Sequence, residues 1–124
     1  MEGSTYIVHT ASPFPIEKPK DEMVLIEPAV EGTLAVMKAA RLNKVKRVVI
    51  TSSVASIFKT GVEGQTHFTE NDWTDTKIAQ PYEKSKTLAE KAAWDFIAEL
   101  PDDEKFEVAT INPGLVVGPN LNEA

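Results

Sequence analysis

Short runs of β-branched and apolar residues alternate along this chain with longer stretches whose apolar positions recur every three to four residues. The first run, Tyr6-Ile7-Val8-His9-Thr10-Ala11, predicts a buried strand. It ends at Ser12-Pro13-Phe14-Pro15, whose prolines cannot continue a sheet interior. Residues 16 to 20 read as loop. From Asp21 to about Leu42 the period becomes helical, with Val30, Leu34, Met37 and Arg41 on one face and Thr33 and Ala40 beside it. Pro28 lacks an N–H, so it either kinks this segment or opens a fresh helix in its first turn. Asn43 is a C-terminal stop. Val45 to Ser52 predicts a second strand, and its Val48-Val49-Ile50 core fits a parallel strand covered on both faces. Residues 54 to 80 read mostly as loop. Pro81 then opens a helix whose stripe is Tyr82, Lys86, Ala89, Ala93, Phe96, Ile97 and Leu100, widened by Leu88 and Ala92. Pro101-Asp102-Asp103 ends it, and Phe106 to Ile111 is the third strand. Strand, helix, strand, helix, strand predicts an α/β fold of right-handed βαβ units around a parallel sheet.

Composition narrows the function without choosing it. The 124 residues suit at most one domain, 42% hydrophobic and 26% charged. A net charge of −6, with no basic run, argues against a nucleic-acid surface. No cysteine is present, which removes disulfides and thiolate metal sites and fits a reducing, cytoplasmic setting. The start Met1-Glu2-Gly3-Ser4-Thr5 does not resemble a signal peptide, and no apolar run is long enough for a membrane span. His9 and His67, with Glu70 and Asp72, lack metal-ligand spacing, so no metal is expected. Glu70-Asn71-Asp72-Trp73 reads as loop structure.

The candidate chemistry sits in Gln80-Pro81-Tyr82-Glu83-Lys84-Ser85-Lys86. A Tyr and a Lys at i and i+4 share one helix face. An ammonium beside a phenol favours the phenolate and makes the tyrosine a useful acid or base near neutrality. Upstream, Arg47-Val48-Val49-Ile50-Thr51-Ser52-Ser53 is a strand ending in hydroxyls. Downstream, Val108-Ala109-Thr110-Ile111-Asn112-Pro113-Gly114 is a strand ending in a turn.

Together with Val8-His9-Thr10-Ala11-Ser12-Pro13, Tyr82 to Glu90 and Asn112 to Pro119, these segments resemble the extended short-chain dehydrogenase/reductase superfamily. Within it they look like the dihydroflavonol 4-reductase and cinnamoyl-CoA reductase group. The resemblance implies a Rossmann sheet, an NADP cofactor (NAD remaining possible) and a small carbonyl or alcohol substrate. It also implies roles. Tyr82 would be the proton donor in reduction, and Lys86 would lower its pKa and bind the nicotinamide ribose. Ser53 would polarise the carbonyl, with Ser52 a rival for that role. Thr10, Ala11, Ser12, Thr51, Ser52, Pro113, Gly114, Leu115 and Val116 would lie along the cofactor, beyond the carboxyl ends of the strands. A homodimer through the Tyr82–Leu100 helix is a further implication. An NAD-dependent nucleotide-sugar epimerase or 3β-hydroxysteroid dehydrogenase-like enzyme is the alternative within the superfamily, and a non-catalytic truncated product the alternative outside it.

One departure stands out. The resembled family opens on a glycine-rich turn that cradles the pyrophosphate. Here the glycines at 3, 32, 61, 64, 114 and 118 never show that spacing. The expectation is therefore a partial Rossmann fold, strands four to six of the usual order. Residues 1–124 would be the central segment of a longer reductase, lacking the glycine turn and the substrate domain. By themselves they are expected to fold marginally, to bind cofactor poorly and to be inactive.

Overall fold

The structure, a computed structural model, describes residues 1–14 and 19–119. Pro15, part of the expected 16–20 loop (16–18) and residues 120–124 lie outside the described residues. Three strands form one parallel sheet in the order β1 (Tyr6–His9), β2 (Arg47–Thr51), β3 (Glu107–Ile111). The register pairs Tyr6 with Arg47 and Arg47 with Glu107. Helix α1 (Met23–Leu42) connects β1 to β2, and α2 (Pro81–Glu99) lies between β2 and β3. The expected α/β alternation and all three strands are present, with ends shifted by one to two residues.

Helix α1 runs unbroken through Pro28 for 20 residues, so the proline does not open a fresh helix. Its missing N–H would have served the carbonyl of Val24, one turn back. Val24 and Pro28 both face solvent, on the side of the helix where water has access to the backbone. The helix stops as expected at Asn43. Lys44 takes a positive φ of 51°, and Val45 N–H reaches back to the Ala40 carbonyl at 3.0 Å while Lys44 N–H bonds that of Arg41 at 3.1 Å. This Schellman closure turns the chain into β2 and seats Val45 in the core.

The buried face of α1 differs from expectation. Leu25, Ile26, Ala29, Thr33, Met37 and Ala40 are buried, whereas Val30 and Leu34 are only half-buried. Arg41 is exposed and ion-paired with Glu104. The core comprises Met37, Ala40, Val45, Val48, Ile50 and Ala93, flanked by Ile7, Phe96, Ile97, Phe106 and Val108. Helices α1 and α2 therefore pack against the same sheet face. The expectation of a strand covered on both sides is not met among the described residues. Val49 is half-buried, and Tyr6, Val8 and Ile111 on that second face are 66%, 68% and 56% exposed. Among the described residues no helix is long and apolar enough to cross a membrane.

Candidate active site

The carboxyl ends of parallel strands collect backbone groups and helix starts at one rim of the sheet, where ligands of such folds bind. The sequence brings five polar side chains to that rim. Ser52 and Ser53 follow β2, Asn112 follows β3, and α2 presents Lys86 and Glu90 from its buried face.

Helix α2 starts where Pro81 predicts. Pro81 occupies the first turn, and Gln80 N–H is bonded by the Glu83 carboxylate at 2.6 Å. Glu83 also meets Lys59 Nζ at 3.1 Å, which ties the loop after β2 to the helix start. Lys84 reaches the other way, to Glu22 at 2.8 Å. The helix orientation is thus fixed at its first turn, where Tyr82 sits. Tyr82 is half-buried, and Phe14 packs edge-on against its ring with centroids 5.1 Å apart.

One turn further, Lys86 is 7% exposed and donates from Nζ to the carbonyl of Thr51 at 3.1 Å. Burial lowers its pKa from the usual lysine value, and the Glu90 carboxylate opposes that fall. On the neighbouring strand, His9 is held below the ordinary histidine value, first by burial and then by the charge of Lys86. These two bases, with Ala11, Ser12, Thr33, Thr51, Ser52, Ala89 and Glu90, line a narrow cleft at the rim. Ser12 Oγ is buried there without a hydrogen-bond partner among the described residues. Such an orphaned hydroxyl at the end of β1 suits a ligand that brings its own polar atoms.

The two serines after β2 have different hydrogen-bond duties. Ser52 is buried and donates to Glu90 Oε2. Ser53 Oγ accepts from Ala55 N–H at 3.1 Å and caps the 3₁₀ turn Val54–Ser56. A hydroxyl that accepts one bond keeps its hydrogen for another acceptor. The hydroxyl of Ser52 is committed to the protein, and that of Ser53 is left able to donate.

The rest of the expected cofactor set divides. Thr51 gives its carbonyl to Lys86. Pro113 gives its carbonyl to Val54 N–H at 3.0 Å, beside Ser53. Thr10 and Gly114 are exposed, and Leu115 and Val116 are 88% and 80% exposed. Those four take no part in the hydrogen-bonded cluster among the described residues. Asp72 accepts from Thr69 N–H at 2.7 Å and Gln65 Nε2 at 3.0 Å, so the acidic stretch braces its own loop. Trp73 packs under Lys91 of α2, Nζ 5.0 Å from the ring centroid. Sequence reasoning missed Glu90, Ser56 and Asn112 as a buried cluster. The available signal was a carboxylate on the apolar stripe of α2, beside Ala89 and Ala93.

The histidine gives a testable pH dependence. With its folded pKa below the unfolded value, the unfolded chain binds more protons between the two. Stability therefore rises with pH through that window and is lost as pH falls from about 6.5 through the folded value. A His9→Asn variant is expected to lose less of its melting temperature on acidification than the parent. Parallel melting curves for the two from pH 7 to about pH 5 check this.

Sequence comparison places the chain. Residues 1–122 match the 3-beta hydroxysteroid dehydrogenase/isomerase family. The chain belongs to that family. It is 40% identical to a cinnamoyl-CoA reductase of Medicago truncatula over 98% of its own length and 38% of that protein's. It is 35% identical to the NADPH-dependent methylglyoxal reductase of Saccharomyces cerevisiae over 93% of this chain and 37% of that one. The fold superposes on the crystal structure of yeast methylglyoxal/isovaleraldehyde reductase complexed with NADPH with a TM-score of 0.81. There the identity is 33%, over 95% of this chain and 38% of that chain. The three-stranded sheet is thus part of a Rossmann fold, and the chain spans a little over a third of the length of the curated relatives it matches.

Proposed function

We propose that residues 1–124 form the central-to-carboxyl-side portion of the NAD(P)-binding domain of an NADPH-dependent carbonyl reductase acting on a ketone or aldehyde. The similarity to reductases, over little more than a third of their length, supports both halves of that reading. The observation that carries it is the division of labour at the rim. Lys86 is buried one turn after Tyr82, and Ser53 keeps a hydroxyl hydrogen where Ser52 does not.

When bound, the reduced nicotinamide supplies hydride to the substrate carbon. The residues present suit that half of the cofactor: Ser12 Oγ has no partner among the described residues, Lys86 Nζ has donor capacity beyond its bond to Thr51, and both line one cleft. The glycine-rich pyrophosphate turn is not among these residues. As the substrate oxygen gains electron density, Ser53 donates a hydrogen bond to it and Tyr82 transfers its phenolic proton. The ammonium of Lys86 favours the phenolate that remains. In the reverse direction Tyr82 takes the proton from the alcohol. Thr10, Ala11, Thr51, Ser52, Pro113, Gly114, Leu115 and Val116 complete the proposed cofactor wall, and a homodimer through the Tyr82–Leu100 helix and a cytoplasmic location belong to the same reading.

The family match favours one second reading, oxidation of a sterol-type alcohol with the same three residues. Product of the complete natural coding sequence, assayed with NADPH against small aldehydes and ketones and with NAD against hydroxysteroids, separates them. Carbonyl-dependent loss of NADPH absorbance supports the first; activity in the second assay alone replaces it. Neither activity would overturn both.

Paired serine variants test the assignment of the hydroxyls. Ser53→Ala is expected to lower kcat about 10²- to 10³-fold, as for loss of one donor to a developing oxyanion. Ser52→Ala is expected to cost less activity and to lower stability by about 1.5–3 kcal/mol, because it breaks a bond to a charged group. Steady-state kinetics with denaturant melts reads both.

A further inference from the structure

Glu90 is 5% exposed, and among the described residues no cation lies within ion-pair distance of it. Burying an unpaired carboxylate is costly unless donors surround it. Here they do. Its Oε2 accepts from Ser52 Oγ, from Ser56 Oγ at 2.7 Å and from Asn112 Nδ2 at 3.0 Å. Trp94 Nε1 approaches Oε1 at 3.5 Å. The donors to Oε2 come from three places: the end of β2, the 3₁₀ turn after it, and the end of β3.

The same atoms hold Ser53. Its carbonyl lies 3.1 Å from Asn112 Nδ2 and 2.7 Å from Ser56 Oγ. Ser56 has one hydrogen and two acceptors in reach, and Asn112 has two hydrogens for Ser53, Ser56 and Glu90. The Glu90 carboxylate is the acceptor these donors share, and it is what joins them to α2. A leucine there would leave the Ser52 hydroxyl only its longer, 3.3 Å contact with Ser56 Oγ and would remove one of the three acceptors around Asn112 Nδ2.

We propose that Glu90 is a positioning residue: its carboxylate knots the ends of β2 and β3 to α2 and so fixes Ser53 relative to Tyr82 and Lys86. This deepens the reductase reading and rests on it. The carboxylate also faces Lys86 one turn away on its own helix. Among the described residues, the other titratable group lining the cleft with Lys86 is His9 on β1, and Tyr82 lies one turn earlier on α2. From β2 and α1 the cleft receives only uncharged Ile50, Thr51, Ser52 and Thr33. Removing the negative charge therefore leaves the burial of Lys86 unopposed.

Two variants separate position from charge. Glu90→Gln can place its amide oxygen where Oε2 stands, so it keeps an acceptor and loses the charge. Glu90→Leu loses both. In the product of the complete coding sequence, Glu90→Leu is expected to lower kcat about 10²-fold, the scale of a small misplacement of reacting groups. Glu90→Gln is expected to melt near the parent and to move the alkaline limb of the kcat profile to lower pH. A merely structural residue would leave that limb in place. An NMR titration of the Lys86 ε-carbon, assigned with Lys86→Arg, is expected to move to lower pH in Glu90→Gln.

Superimposable pH profiles and unchanged Lys86 titration in Glu90→Gln would overturn the proposal, as would parental kcat in a folded Glu90→Leu. If the Lys86 titration moves while the parent reduces no carbonyl, the reductase reading falls and the coupling of Glu90 to Lys86 stands.

Discussion

Replacing Tyr82 by phenylalanine is expected to lower kcat for carbonyl reduction about 10²- to 10⁴-fold, the contribution of a positioned general acid. The fold should survive the change. Tyr82 is half-buried, its ring packs on Phe14, and no hydrogen bond from its hydroxyl is made to the described residues. Phenylalanine keeps the ring and that edge-on contact. The effect should therefore fall on kcat with little change in melting temperature or in NADPH affinity. Stopped-time assays with saturating NADPH, with melting curves on the same samples, check it. A Tyr82→Phe protein that keeps parental kcat would take the proton-donor role from this residue.

The largest expected effect on stability comes from Met37→Ala. Met37 is fully buried at the centre of the core, among Ala40, Val45, Val48, Ile50 and Ala93. It is the largest of the fully buried side chains, and its neighbours include two alanines that cannot expand into the space it leaves. Truncation of a buried methionine costs about 2–5 kcal/mol, from lost transfer energy and the residual cavity. Against a typical total of about 5–15 kcal/mol, this is a large share of the fold's stability. Urea unfolding of parent and variant should show a lower midpoint with an unchanged slope.

Much of this architecture was legible because it depends on local pattern. The β-branched runs at Tyr6–His9, Arg47–Thr51 and Glu107–Ile111 became strands, and Asn43 and Pro81 marked real helix boundaries. The face of α1 was less legible. Arg41 fell on the apolar stripe by spacing, yet it pairs with Glu104, while Leu25, Ile26 and Ala29 turn inward. Which stripe is buried depends on where α2 lies, and spacing within one helix carries no such information. Pro28 misled for a related reason, since its cost depends on whether water reaches the Val24 carbonyl.

The candidate site shows the same division. Tyr82, Lys86 and Ser53 were singled out as candidates from their motif. The Glu90 cluster was not, because its members are 22 to 38 positions away in sequence. A polar residue on an apolar stripe is read as a misfit until its partners are known. The structure also sharpened a choice the sequence left open. The sequence favoured Ser53 by position with Ser52 as its rival, and the hydrogen-bond partners distinguish a committed hydroxyl from an available one.

The central claim is that Lys86, beneath the rim of the sheet, holds a nicotinamide cofactor beside Tyr82. A titration with NADPH, followed by cofactor fluorescence in the product of the complete coding sequence and in its Lys86→Met variant, tests it most directly. The account predicts saturable binding by the parent and an affinity lower by about tenfold or more in Lys86→Met, the loss of one charge-assisted hydrogen bond. No saturable binding at millimolar cofactor, or equal affinity in the two proteins, would contradict it.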